Sequence, residues 1–228
     1  MGSWVSVVSE DWRWRMLTPP KGDYSSVPLS AEGRRAALAW DWQKDIDQGD
    51  QCRPFGVGGI MRMPGRLRIT WQDPNTLKIE TDAGTQTRLL HFENATKPAG
   101  EKTWQGWSEA EWTYDLLIGQ QGRGQEPNPD TRGSLRVVTT NMRAGYVRKN
   151  GVPYSEDTVV TEYFDRHATS SDGSEWLNVM TIIEDPKNYT QPFVTDSIFK
   201  KERDNSKWHP TPCQTAPPSI AVAPADAR

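Results

Sequence analysis

Apolar and polar positions alternate with a period of two along most of this chain, the pattern of strands that bury one face. In Arg66-Leu67-Arg68-Ile69-Thr70-Trp71 the apolar residues share one face and the polar ones the other. Leu77-Lys78-Ile79-Glu80 repeats the rhythm after the turn Asp73-Pro74-Asn75. Thr85–Phe92 follows the tight turn Asp82-Ala83-Gly84. The same reading predicts strands over Trp104–Thr113, Leu135–Met142, Thr158–Arg166, Trp176–Glu184 and Phe193–Lys200, with either Val5–Val8 or Trp12–Met16 at the front. Turn chemistry at Lys149–Pro153, Ser170–Gly173 and Asp185-Pro186 separates several of them. A single segment reads as helix: Ser30 is a good N-cap for the alanine- and arginine-rich Ala31–Trp40, expected to pack across a barrel mouth or a sheet edge. The polar, glycine-rich run Gly119–Gly133 is expected to be a hairpin insertion, because strands of one character flank it.

Many short strands with hairpin-length turns and little helix predict an all-β protein. One-sided alternation favours closure into an antiparallel meander β-barrel, lipocalin- or calycin-like, of about eight or nine strands with one short N-terminal helix. The expected layout is a single domain over residues 4–213 and a loosely held, Pro/Ala-rich tail over Gln214–Arg228. A barrel of that size either packs its lumen with side chains or leaves room for one small ligand.

Charge and cysteine content narrow the class. A net charge of −3 argues against a generic nucleic-acid or anionic-membrane binder. No apolar run is long enough to span a bilayer as a helix. The two cysteines, Cys52 and Cys213, are too far apart in sequence for a local CxxC unit and sit beside turns. They read as one long-range disulfide, which implies an oxidising compartment; the alternative is two free thiols. The start of the chain lacks the basic and apolar regions of a signal peptide.

Thr103-Trp104-Gln105-Gly106-Trp107-Ser108, Gly151-Val152-Pro153-Tyr154-Ser155 with Thr161-Glu162-Tyr163-Phe164, and Thr181-Ile182-Ile183-Glu184-Asp185-Pro186 with Tyr189-Thr190-Gln191-Pro192-Phe193 carry a resemblance. With Gly22-Asp23-Tyr24, they resemble a large group of exported bacterial β-rich proteins without an assigned activity. The resemblance implies a domain carried by a cleaved export signal, periplasmic or secreted, and implies no reaction.

Several residues are candidates for chemistry. His91 shares a face with Thr85, Thr87 and Leu89, while Arg88 shares the other with Leu90 and Phe92. If the first face lines the lumen, His91 is a buried acid or base; otherwise it is a strand-end histidine with a backbone partner. In Val159–Phe164 either Glu162 or Tyr163 must face the apolar side, and a buried Glu162 either finds a cation, from Arg88 or Arg68, or has a raised pKa. Asn178 shares a face with Met180, Ile182 and Glu184, and Tyr146 lies beside the turn that carries Lys149, where either Tyr146 or Lys149 can meet an anionic or phenolic ligand if that turn folds over the mouth. The 11 tryptophans, Trp71 and Trp107 among them, suit both core packing and an aromatic-lined pocket. No metal-ligand spacing, phosphate loop or nucleophile elbow occurs, so no metal or organic cofactor is expected.

These readings leave three functions open. One is a lyase, isomerase or cyclase working by proton transfer, with His91 or Glu162 as base, Tyr163 as donor and Arg88 stabilising negative charge. Trp71, Trp107, Tyr146 and Asn178 would then hold a small apolar or aromatic substrate. The second is a non-catalytic binder of the same kind of ligand, and the third a glycan-binding module. The expected partner is a small molecule, without nucleic acid or membrane span; a homodimer stays open.

Overall fold

A computed structural model describes residues 1–93, 95–96, 100–114, 133–168, 172–215 and 217. The strands are β1 (Gly2–Val7), β2 (Arg66–Asp73), β3 (Thr76–Thr81), β4 (Thr87–His91), β5 (Trp107–Tyr114), β6 (Gly133–Thr140), β7 (Gly145–Arg148), β8 (Val152–Tyr154), β9 (Val159–Ala168), β10 (Glu175–Glu184) and β11 (Phe193–Lys201). All but β7 and β8 form one closed barrel, in the order β1-β2-β3-β4-β5-β6-β9-β10-β11, with β11 pairing back onto β1. The barrel is therefore all-β and nine-stranded, and its neighbours follow chain order. One departure from a pure antiparallel meander is the parallel junction β4–β5, where Leu90 faces Ser108.

Inward positions follow the expected alternation. Leu67 and Ile69 of β2, Leu77 and Ile79 of β3, Leu135 and Val137 of β6, and Leu177 and Val179 of β10 are all buried in the lumen core. Each such strand reads apolar-in and polar-out because only one face leaves water.

One end of the barrel is capped. Four short helices precede β2: α1 (Trp12–Arg15), α2 (Ala31–Leu38), α3 (Trp42–Asp47) and α4 (Val57–Ile60). Helix α2 starts as the sequence predicts, with the Ser30 hydroxyl accepting from Gly33 N at 3.0 Å. It lies close on the β10–β11 connection, where a Cβ on Gly33 would meet the Asn188 carbonyl at 2.2 Å. The small hairpin β7–β8 completes the cap, and a second core of Tyr24, Val57, Val147, Tyr154 and Ile183 joins it to the barrel.

Trp12–Met16 is not the front strand: Gly2–Val7 is, and Trp12–Arg15 is one turn of helix. Alternation over five residues is too short to separate the two when a charged side chain is inside. Arg15 is that side chain, buried with its Nε donating to the Arg62 carbonyl at 3.0 Å. The turn is fixed by guanidinium–ring stacking, with Arg13 and Arg148 each 4.5 Å from Trp14 and Arg148 and Arg62 about the Phe193 ring at 5.9 and 6.0 Å. The expected insertion 119–133 lies outside the described residues except for Gly133, as does most of the expected tail.

Cys52 and Cys213 form a disulfide, with their Cα atoms 5.1 Å apart. It pins the segment after β11 to the cap beside α3. A ring of 161 positions is large, so in the chain-entropy view the crosslink stabilises by about 3–5 kcal/mol. Urea unfolding with and without reductant is expected to differ by that amount, and a native protein that titrates as two free thiols would contradict the assignment.

Candidate functional site

The end opposite the cap is open and holds a cavity of about 310 Å³. Trp4, Ile69, Trp71, Leu77, Trp112 and Phe164 line it, with Arg166 at the edge. Trp4, Leu77 and Phe164 are buried, whereas Trp71 and Trp112 are 45% and 53% exposed at the rim. Phe92 joins the two rim indoles, 5.3 Å from Trp71 and 5.9 Å from Trp112 between ring centroids. The Trp4 Nε1–H is buried without an acceptor, a donor in otherwise apolar surroundings. Arg166 is engaged by Glu175, with Nε donating at 2.8 Å.

Arg88 and Glu162 meet inside the barrel. Arg88 lies on β4 opposite Ile79, Glu162 on β9 opposite Val137, three strands away round the wall. Both are 0% exposed. The guanidinium grips the carboxylate through two parallel bonds, Nη1 to Oε1 at 3.0 Å and Nη2 to Oε2 at 2.5 Å. Arg88 is thus the cation that a buried Glu162 requires. Arg68 points away, 3.7 Å from Glu80 and stacked 4.0 Å from the Trp208 ring. Ile79 and Phe164, neighbours of the pair, line the mouth cavity, and neither Arg88 nor Glu162 does.

His91 lies on the other face of β4, outside the barrel, and stacks on Trp107 at 3.9 Å with the planes 12° apart. The lumen side of this strand is the Arg88–Leu90 face, which places His91 and Trp107 away from the cavity. Burial against the indole pushes the His91 pKa down, partly opposed by Asp73. Tyr163 is also outward, hydrogen-bonded to Arg136 of β6. Asn178 faces outward beside Asp196 of β11, since the inward face of β10 is Leu177, Val179, Thr181 and Ile183.

Tyr146 belongs to the cap. Its hydroxyl donates to Asp45 at 3.2 Å and accepts from Arg53 at 3.1 Å, and Arg53 in turn bonds Asp45 at 2.9 Å. Burial pushes its pKa up to about 12, so it stays a neutral structural donor. Asp185 is a turn residue: Ser155 N donates to it at 2.6 Å and Asn188 Nδ2 at 2.7 Å. Burial alone would raise its pKa, and these bonds more than offset that and hold it low.

Of the residues singled out in the sequence, the barrel brings Arg88 to Glu162, and only Trp71 reaches the cavity. His91, Tyr163, Trp107, Asn178 and Tyr146 are elsewhere. Trp4 and Trp112 also line the cavity, and Trp112 shares its face with the inward Ala110 and Ser108, a parity visible in the pattern. Compared with protein-family models, with curated proteins and with solved structures, the chain matches none.

Removing one partner of a buried charge pair leaves the other uncompensated. Glu162→Gln is expected to cost about 3–5 kcal/mol in urea unfolding, and the Arg88→Met/Glu162→Leu double variant to recover most of it. An unchanged single variant would mean that solvent reaches the pair. For His91, the lowered folded-state pKa favours the neutral ring. Its contribution to stability is present above the unfolded value of about 6.5 and is lost as pH falls through the folded pKa. NMR titration should find His91 below the ordinary value, and Trp107→Ala should bring it back upward.

Proposed function

We propose that the barrel is a binding protein that holds one small, flat, apolar or aromatic molecule in its open mouth. The observation that carries this reading is the cavity of about 310 Å³ walled by indoles and aliphatic side chains. The unpartnered Trp4 Nε1–H supplies a donor for a ligand that carries one acceptor oxygen. Binding is favoured over proton-transfer catalysis because, among the described residues, Arg166 is the one titratable side chain at the cavity, and Glu175 engages it. His91 and Tyr163, offered as base and donor of a lyase, isomerase or cyclase, sit on the outer wall, and both oxygens of the Glu162 carboxylate are held by Arg88. The disulfide favours an oxidising location, periplasmic or secreted.

Exposed Trp71 and Trp112 also suit the face of a sugar, which makes glycan binding the second reading. Titration with 2-naphthol, followed by the indole N–H signals in proton–nitrogen NMR spectra, separates the two. The Trp4, Trp71 and Trp112 signals are expected to move while Trp40 and Trp104 stay. Trp71→Ala and Trp112→Ala should each weaken binding about tenfold, the worth of one aromatic contact. A response to maltotriose with none to 2-naphthol would replace this reading by the glycan one, and silence with both would overturn the pocket.

A further inference from the structure

A second cavity, of about 490 Å³, lies on the flank of the cap, at the end of the barrel away from the mouth. It opens between the end of α1, the approach to β2 and the segment that Cys213 holds to Cys52. Met16, Leu17, Phe55, Met63 and Pro212 contribute apolar surface, and the charged side chain that lines it is Lys149. Met16 and Leu17 are 52% and 54% exposed, two large apolar side chains left open to solvent next to each other, whereas Phe55 and Met63 are buried. The wall that carries Pro212 is fixed, since Thr211 N donates to the Asp82 carbonyl and the Thr85 hydroxyl donates to the Thr211 carbonyl, both at 2.8 Å.

Lys149, like the buried Arg148, differs from the ion-paired cations around it. Arg15 reaches Glu10 at 3.5 Å and Arg62 reaches Asp11 at 2.9 Å. The Lys149 Nζ donates to the Arg15 carbonyl at 2.9 Å and forms no ion pair with any described residue. An ammonium carries three donors, and the Arg15 carbonyl takes one of them. Burial also pulls its pKa down, and no acid among the described residues opposes the shift. A desolvated cation at the wall of an apolar hollow gains most from an anion whose body is itself apolar.

We propose that this flank cavity is a binding site for a small apolar carboxylate, with the carboxylate on Lys149 Nζ and the hydrocarbon against Met16, Leu17 and Met63. The site is independent of the mouth and does not rest on the reading given to it. The head group is recognised by charge and hydrogen bonding, the tail by area alone, so the acid should be preferred over the alcohol of equal length.

Calorimetric titration of the intact, oxidised protein with octanoate and with 1-octanol tests this. Octanoate is expected to saturate one site and octanol to bind at least about tenfold more weakly, the worth of a charge-assisted bond. Lys149→Met keeps the stem and removes the charge, and should lose the preference; Lys149→Arg should keep it. Trp112→Ala should leave octanoate affinity unchanged while weakening 2-naphthol at the mouth. Equal binding of acid and alcohol, octanoate binding that survives Lys149→Met, or absence of octanoate binding to the wild-type protein would each overturn the site. Octanoate binding lost in Trp112→Ala would place the ligand in the mouth and overturn it as well.

Discussion

Closure of a ring of strands imposes a parity rule. Each antiparallel junction reverses direction, so the number of such junctions round a closed barrel must be even. Nine strands make nine junctions, and at least one must be parallel; here it is β4–β5. A parallel neighbour begins at the same end as the strand before it, so the chain leaving β4 at the mouth has to travel back to the cap before β5 starts. It arrives on the cap itself, where the Trp104 carbonyl accepts from Val57 N at 2.9 Å and Gln105 donates to the Phe55 carbonyl at 2.8 Å. Closure thereby ties the wall to the helices that stop one end, and the free end is left with the cavity.

The lumen is graded along its axis. Toward the cap it contains polar side chains that satisfy one another, such as Ser108 and Thr139 at 2.7 Å. Toward the mouth it is lined by rings and aliphatic groups. The Arg88–Glu162 pair spans the lumen from strands three apart. A pair this deep adds little net stability relative to well-packed apolar residues. It discriminates between registers instead: a slip of one residue in β4 or β9 would turn one charge outward and strand the other in a low-dielectric interior.

Strands were readable in the sequence because each has one buried face, so Arg66–Trp71, Trp176–Glu184 and Phe193–Lys200 emerge within a residue or two of their true bounds. The elements that escaped are short. Helices α3 and α4 span a turn or so, and β7 and β8 are four and three residues, below the length at which a period can be counted. The site was harder for a different reason. In β4 the inward face carries an arginine and the outward face a leucine, Leu89, so polarity alone does not decide which face carries the interior group. Height along the barrel axis has no local signal, and it sets Trp71 at the rim, whereas the outward face of β5 is what sets Trp107 apart.

The disulfide leaves one stave unenclosed. The covalent loop from Cys52 to Cys213 contains β2 through β11, whereas β1 precedes it and is held between β2 and β11 by ladder hydrogen bonds and the burial of Trp4. Thermal breathing of the wall would start at that seam, with β1 as the plank that lifts first. Because Trp4 belongs to that plank and lines the mouth, loosening the seam and opening the cavity wall become one event.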